Sequence, residues 1–227
     1  MHHVRSFAFN AVLWGAGAVL SIWCTLFGRH FRDGILRTAQ LWTRISLWAL
    51  RAFCGVSLEV RGLENLPAGG CVIAAQHQSA LDILLWISLL PAPAFVFKKE
   101  LKRIPLFGAL LEPSGMISVD RSGGRKALRD MVERAHQAVA AGRQVVIFPE
   151  GTRVAPGVRG ELRHGIAAMA QGLSAPLLPA TTDSGLRWGR KSFQKSPGPV
   201  HITIHPAILP GMSREELLAT LTALFYG

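Results

Sequence analysis

Cys71-Val72-Ile73-Ala74-Ala75-Gln76-His77-Gln78-Ser79-Ala80-Leu81-Asp82-Ile83-Leu84-Leu85-Trp86 carries an apolar run, a polar turn and the start of a second apolar run. Five small or branched apolar residues closed by a polar cluster read as a buried strand over Cys71–Ala75. Ser79-Ala80-Leu81-Asp82 has the form of a capping box, with Ser79 at the N-cap and Asp82 at the third helical position, so a helix is expected over Ala80–Leu90. His77 precedes Asp82 by five residues. In one uninterrupted helix five steps rotate by about 500° and leave the two side chains on different faces. With His77 in a turn and Asp82 inside the helix that follows, the carboxylate can instead turn back on the imidazole. Taken alone, the segment is better described as a capping aspartate and an unconnected loop histidine.

Outward from this unit the pattern repeats as strand alternating with helix. Further strands are expected at Ser57–Arg61, Ala94–Phe97, Met116–Val119, Gln144–Phe148, Leu177–Pro179 and Val200–Ile204, and helices at Arg125–Ala140, Gly160–Gln171 and Arg214–Phe225. The last helix has its own capping box in Ser213-Arg214-Glu215-Glu216. Such alternation predicts an α/β domain with a largely buried sheet over residues 58–227.

Residues 1–57 differ in kind. No charged side chain occurs from Ser6 to Gly28, a run bracketed by Arg5 and Arg29 and long enough to span a bilayer. Its length and the lack of an A-x-A-like site argue against a cleaved signal peptide. Gly15 and Gly17 leave a bent or re-entrant course open. In the next stretch Arg37, Arg44 and Arg51 recur at heptad spacing and line one helix face, among Leu41, Trp42, Ile45, Trp48 and Phe53. An arginine stripe beside large aromatic residues suits the bilayer interface; packing on the domain is the plainer alternative. Six arginines oppose one acid, Asp33, in this segment, and five of them follow the apolar run, which places that flank on the cytoplasmic side. The segment is expected to be a membrane-anchoring helical pair.

A formal charge of +11 and a pI near 10.8 call for an anionic partner, whether nucleic acid, an anionic bilayer or a phosphorylated substrate. An apolar fraction of 49% and a mean hydropathy of +0.28 favour the bilayer. The aromatic residues include Trp14, Trp23, Trp42 and Trp48 in the N-terminal segments, and no nucleic-acid motif is present. Cys24, Cys54 and Cys71 are scattered thiols without C-x-x-C spacing, which fits a reducing compartment. His201 and His205 alternate along a strand with no third ligand nearby, so no metal centre is expected. The lack of a G-x-S-x-G elbow argues against a serine hydrolase.

Three further segments carry candidate chemistry. Phe148-Pro149-Glu150-Gly151-Thr152-Arg153 follows an apolar strand, where ligands gather in α/β sheets. It offers Gly151 for close backbone approach, a Thr152 hydroxyl, and an Arg153 fork suited to phosphate. Lys98-Lys99-Glu100-Leu101-Lys102-Arg103 holds four cations in six residues, and Gly115-Met116-Ile117-Ser118-Val119-Asp120-Arg121 is a strand ending in charge. Each alone also describes a solvated turn or face.

In this order the four segments resemble the glycerolipid acyltransferases, specifically the 1-acyl-sn-glycerol-3-phosphate acyltransferase family. The family's H-x4-D block is matched by His77 and Asp82, and its K-x-E-L…P-x-x-G block by Lys98 to Gly108. Its G-x-I-x-[IV]-D-R block is matched by Gly115 to Arg121, and its F-P-E-G-T-R block by Phe148 to Arg153. Ala175-Pro176-Leu177-Leu178-Pro179 is similar to a looser V-P-[IV]-x-P block. Gln76 departs from the asparagine that many members carry there.

The resemblance implies a mostly buried mixed sheet flanked by helices, and an enzyme that needs no metal or organic cofactor. It implies that His77, oriented by Asp82, takes the proton from the sn-2 hydroxyl of a lysophosphatidic acid. That oxygen then attacks an acyl thioester, of coenzyme A or acyl carrier protein, to give phosphatidic acid for phospholipid synthesis. Arg153 and Lys98, with Lys99 as a substitute, would hold the acceptor phosphate. Arg121 joins the substrate-binding set, and Glu150, Gly151 and Thr152 would shape the acceptor pocket. The expected location is the cytoplasmic face of the inner membrane. Acylation of glycerol 3-phosphate or of a lyso-aminolipid, and a non-catalytic membrane lipid-binding module, are the alternatives.

Overall fold

The structure, a computed structural model, describes residues 2–227 except Arg32, Ser174 and Leu209. Arg32, one of the arginines counted on the N-terminal flank, thus lies outside the described residues. The helices are α1 His2–Leu26, α2 Gly34–Cys54, α3 Leu81–Leu89, α4 Gly108–Leu111, α5 Gly124–Ala140, α6 Gly165–Gly172 and α7 Arg214–Tyr226. The strands are β1 Val56–Arg61, β2 Cys71–Ala75, β3 Pro93–Lys98, β4 Ile117–Val119, β5 Gln144–Ile147, β6 Leu177–Thr182 and β7 Gly198–Ile204.

All seven strands form one sheet in the order β1-β7-β6-β2-β5-β3-β4. β2 to β6 run parallel, β7 runs antiparallel to β6, and β1 is parallel to β7, so the sheet is mixed as expected. Strand β2 is buried along its whole length between β5 and β6, which is why it reads as an unbroken apolar run. Its register pairs Ile73 with Val146 and Leu178.

Direction across the sheet sets the layers. The connections β2–α3–β3 and β3–β4 move one way, and β4–α5–β5 and β5–α6–β6 move back. Right-handed crossovers place the two groups on opposite faces. The cores agree: Leu81, Leu84 and Leu85 of α3 pack with Phe9, Leu13, Ala49 and Leu50 of α1 and α2. Met131 and Ala135 of α5, Ile166 and Met169 of α6, and Leu217 and Leu221 of α7 fill the other layer.

α1 is continuous through Gly15 and Gly17 and folds back antiparallel on α2. Trp42 Nε1 donates to the Leu13 carbonyl at 2.9 Å, and a Cβ on Gly17 would come within 3.0 Å of that nitrogen, so Gly17 leaves room for the indole. Within α1 lies a stretch long and apolar enough to cross a bilayer, with only 17% of that stretch buried. Arg37, Arg44 and Arg51 all lie exposed on α2, as their heptad spacing predicts.

The expected helix over Gly160–Gln171 starts later, at Gly165. Residues before it are held instead by Arg163 N donating to the Pro149 carbonyl at 2.7 Å. Gly115, at φ +77°, closes the start of β4: a Cβ there would run into the Arg143 guanidinium, which donates to the carbonyls of Gly115, Pro93 and Ser114.

Candidate active site

β2 and β5 are neighbours whose chains leave in opposite directions to opposite faces. Adjacent strands that part in this way open a crevice beyond their carboxyl ends, where α/β folds bind ligands. His77 follows β2 and Glu150 follows β5, so both stand at that crevice.

His77 Nδ1 lies 2.8 Å from Asp82 Oδ2. That oxygen also accepts from the backbone N–H groups of Gln78 and Ser79, each at 2.8 Å, and Oδ1 accepts from the Ser184 hydroxyl. Asp82 is 1% exposed, and this set of donors satisfies a carboxylate cut off from water. The expected capping box is thereby altered. α3 begins at Leu81, the Ser79 hydroxyl accepts from Leu81 N at 3.1 Å, and the Asp82 carboxylate gathers the preceding turn around itself. In the final helix the Ser213–Glu216 box forms as expected.

A carboxylate beside Nδ1 selects the tautomer with its proton on Nδ1 and leaves the Nε2 lone pair as the base. Among the described residues Nε2 has no hydrogen-bond partner. The imidazole stacks on Phe148, with ring centroids 4.0 Å apart at 17°, so its plane is held from the face as well. The His77 carbonyl accepts from Val154 N at 2.8 Å, which ties the His77 turn to the segment after β5.

Glu150, expected to shape the acceptor pocket, is buried at 2% exposure. Its Oε2 accepts from His77 N at 2.7 Å and its Oε1 from Tyr226 OH at 2.8 Å. Gln76 works beside it: its amide donates to the Phe225 carbonyl at 2.9 Å and accepts from Thr182 N at 3.2 Å. The glutamine that departs from the family pattern therefore reaches the last turn of α7.

The cations divide into paired and free. Lys99 is bound by Asp120, whose carboxyl the Lys99 and Ser122 hydrogen bonds hold down to about 2. Lys98 and Arg153 have no side-chain partner among the described residues; Lys98 and Thr152 are exposed and Arg153 is half-buried. Arg121 lies against Gly151, which has φ +68°: a Cβ there would meet Arg121 Nη1 at 3.3 Å and Arg163 Cγ at 3.4 Å. Burial, and next the nearby Arg163 charge, lower the Arg121 pKa. Arg121 and Arg163 thus flank the bare backbone of Gly151, with Arg163 also 3.6 Å from Glu161, an arrangement able to accept an anion.

Ser184, Arg163, Gln78 and Tyr226 were not among the expected site residues. Ser184 reaches Asp82 only because β6 lies beside β2, and Tyr226 reaches Glu150 only because α7 packs under that edge. Arg163, two residues from Glu161 in a polar stretch, had the clearest local signal, a cation shortly after the F-P-E-G-T-R segment.

A family model described as Acyltransferase matches residues 57–183. A 1-acyl-sn-glycerol-3-phosphate acyltransferase of Pseudomonas aeruginosa is 35% identical over 181 residues, covering 78% of this chain and 69% of that protein. One from Borreliella burgdorferi is 32% identical over 168 residues, covering 73% and 65%. The chain spans 44% of the chloroplast relative from Brassica napus. The crystal structure of a 1-acyl-sn-glycerophosphate acyltransferase from Thermotoga maritima superposes with a TM-score of 0.78 at 22% identity, covering 100% of this chain and 95% of that one, and so shares the fold. By the extent of these matches the chain belongs to the acyltransferase family, grouped with proteins named 1-acyl-sn-glycerol-3-phosphate acyltransferase.

Proposed function

We propose that the protein transfers a fatty acyl group from a thioester to the sn-2 hydroxyl of 1-acyl-sn-glycerol 3-phosphate, making phosphatidic acid. The observation that carries this reading is an imidazole with Asp82 on Nδ1 and Nε2 open among the described residues, in a turn whose carbonyl is tied to the segment that carries Gly151 and Arg153. Nε2 takes the hydroxyl proton as the oxygen attacks the thioester carbonyl. The C–S bond breaks, and the imidazolium returns the proton to the departing thiolate. An alcohol is a weak nucleophile near neutral pH, and a positioned histidine base contributes about 10²–10⁴ in rate. Asp82 orients the ring and stabilises its protonated form. Arg153, Arg121 and Lys98 hold the acceptor phosphate, with Gly151 letting it approach the backbone and Thr152 at the rim. Lys99, paired with Asp120, stands in reserve. These groups balance the reaction without a metal or organic cofactor.

The donor is acyl-coenzyme A or acyl carrier protein, both anionic and both drawn to a basic surface. Residues 1–57 act as the membrane anchor and residues 58–227 as the catalytic domain. α1 exposes Phe7, Trp14, Val19 and Trp23, and α2 exposes Arg37, Leu41, Arg44, Trp48 and Arg51, the composition of a helix pair lying in one leaflet. The cytoplasmic face of the inner membrane is the location that gives the site both substrates. Purified protein incubated with lysophosphatidic acid, glycerol 3-phosphate and a lyso-aminolipid, against both thioesters, tests the reading. Phosphatidic acid as the main product supports it; acylation of glycerol 3-phosphate alone overturns it.

A further inference from the structure

Between β3 and β4 the chain makes a crossover whose surface the proposed reaction does not explain. Leu101, Ile104, Leu106 and Phe107 are each 39–45% exposed, four large apolar side chains within seven residues. Leu106 holds φ +64°, a conformation L residues rarely adopt, with its apolar side chain exposed. Lys98 and Lys99 precede them, Lys102 and Arg103 lie among them, and all four are exposed, as is the one acid of the segment, Glu100. Lys99 and Lys102 are matched internally by Asp120 and Glu112, whereas Arg103 has no partner among the described residues. Exposed apolar side chains interleaved with cations in one short segment fit a boundary that is apolar inside and anionic at its rim, which is the surface of an anionic leaflet.

The position of the crossover agrees. β3–β4 moves across the sheet in the same direction as β2–α3–β3, so its connection lies on the face that carries α1, α2 and α3. Met116, at its far end, packs against the core layer shared by those helices. The segment leaves β3 at Lys98, at the same end of the sheet as the His77 crevice. It therefore extends the face of exposed α1 and α2 residues toward the active site.

We propose that residues 98–107 form a second contact with an anionic leaflet, sinking Leu101, Ile104, Leu106 and Phe107 into the interface and pairing Arg103 with headgroup phosphate. This rests on the reading of α1 and α2 as the membrane anchor. Two attachments on one face fix the tilt of the domain, where the helical pair alone would leave it free to rock. The open end of the crevice then faces the lipid that it must accept.

Thiol-reactive, environment-sensitive fluorophores placed by Phe107→Cys or Trp48→Cys in the full chain test this, since Cys24, Cys54 and Cys71 are all buried. Phosphatidylcholine vesicles with and without phosphatidylglycerol are the probes. Both labels should shift to the blue on the anionic vesicles, and Arg103→Gln should weaken the response at position 107 only. A label at position 48 that shifts while the one at 107 stays in water overturns the second contact and leaves the helical anchor standing. If neither shifts, both fail. Leu106→Gly suits the positive φ and removes only the apolar side chain, so it should fold. It should acylate a monomeric short-chain acceptor normally and a vesicle-embedded acceptor severalfold more slowly; equal activity on both overturns the proposal.

Discussion

Glu150 Oε2 accepts a hydrogen bond from the backbone N–H of His77 at 2.7 Å, and its other oxygen is held by Tyr226 at 2.8 Å. One buried carboxylate thus connects the last turn of α7 to the backbone of the proposed base. Tyr226→Phe leaves Oε1 without a donor, and an unsatisfied buried acceptor costs about 1–3 kcal/mol. The expected outcome is a lower unfolding midpoint together with a reduced kcat and an acceptor KM close to the original. Gln76→Asn should act in the same direction, because an amide one methylene shorter cannot span Phe225 O and Thr182 N. A kcat equal to that of the unaltered enzyme in both variants would deny α7 a positioning role.

Burial pushes the Glu150 carboxyl up to about 7, against the opposing Tyr226 and His77 hydrogen bonds, and the Asp82 charge adds to the rise. The native state then keeps a proton that the unfolded chain gives up at ordinary carboxylate pH. Stability from this group is complete below the unfolded pKa and is lost as pH rises through about 7. Thermal unfolding followed from mildly acidic to mildly alkaline pH should show a falling midpoint, and Glu150→Gln should flatten that fall.

His77→Ala should remove acyl transfer while leaving the fold in place, a loss of about 10²–10⁴ in kcat by removal of the base. Asp82→Asn should cost activity and stability together, since the carboxylate serves two backbone N–H groups and Ser184 besides the imidazole. Ser184→Ala should be milder, removing one donor from Asp82. Initial rates beside circular dichroism melts separate these outcomes.

Arg153→Ala should raise the acceptor KM with little change in the thioester KM, and Arg153→Lys should restore it only in part, because a point charge does not reproduce a planar fork. Gly151→Ala should be worse than either. The φ of +68° strains an alanine, and its Cβ would stand 3.3 Å from the Arg121 guanidinium where the anion is proposed to sit. Steady-state kinetics with acceptor and donor varied separately checks both.

Lys195 joins α1 to the segment before β7. Its ammonium donates to Asn10 Oδ1 at 2.9 Å and to the Phe193 carbonyl at 2.8 Å, and lies 4.5 Å from the Trp188 ring centroid. Burial lowers its pKa to about 8. A lysine depressed in the native state contributes stability above its unfolded pKa and loses it as pH falls through about 8. The unfolding midpoint of the unaltered protein should therefore carry a rise with alkaline pH that Lys195→Met abolishes. Lys195→Ala, which also empties the space among Phe9, Trp188 and Phe193, should loosen α1 and increase proteolysis near the N-terminus.

Local order was legible wherever spacing alone decides conformation. Cys71–Ala75 forms the predicted strand residue for residue, and the Ser213–Glu216 box starts α7 where expected, because an apolar run and a capping pair act within a few residues. The His77–Asp82 pair and the Gly151 turn belong to the same class. The order of strands decided the rest. β6 beside β2 brings Ser184 to Asp82, α7 packed against α6 and β6 brings Tyr226 to Glu150, and the segment before α6 brings Arg163 beside Arg121. Those partners stand 102, 76 and 42 residues apart in sequence. No periodicity or motif spacing reaches so far; only burial of a common sheet between two helical layers brings such residues together.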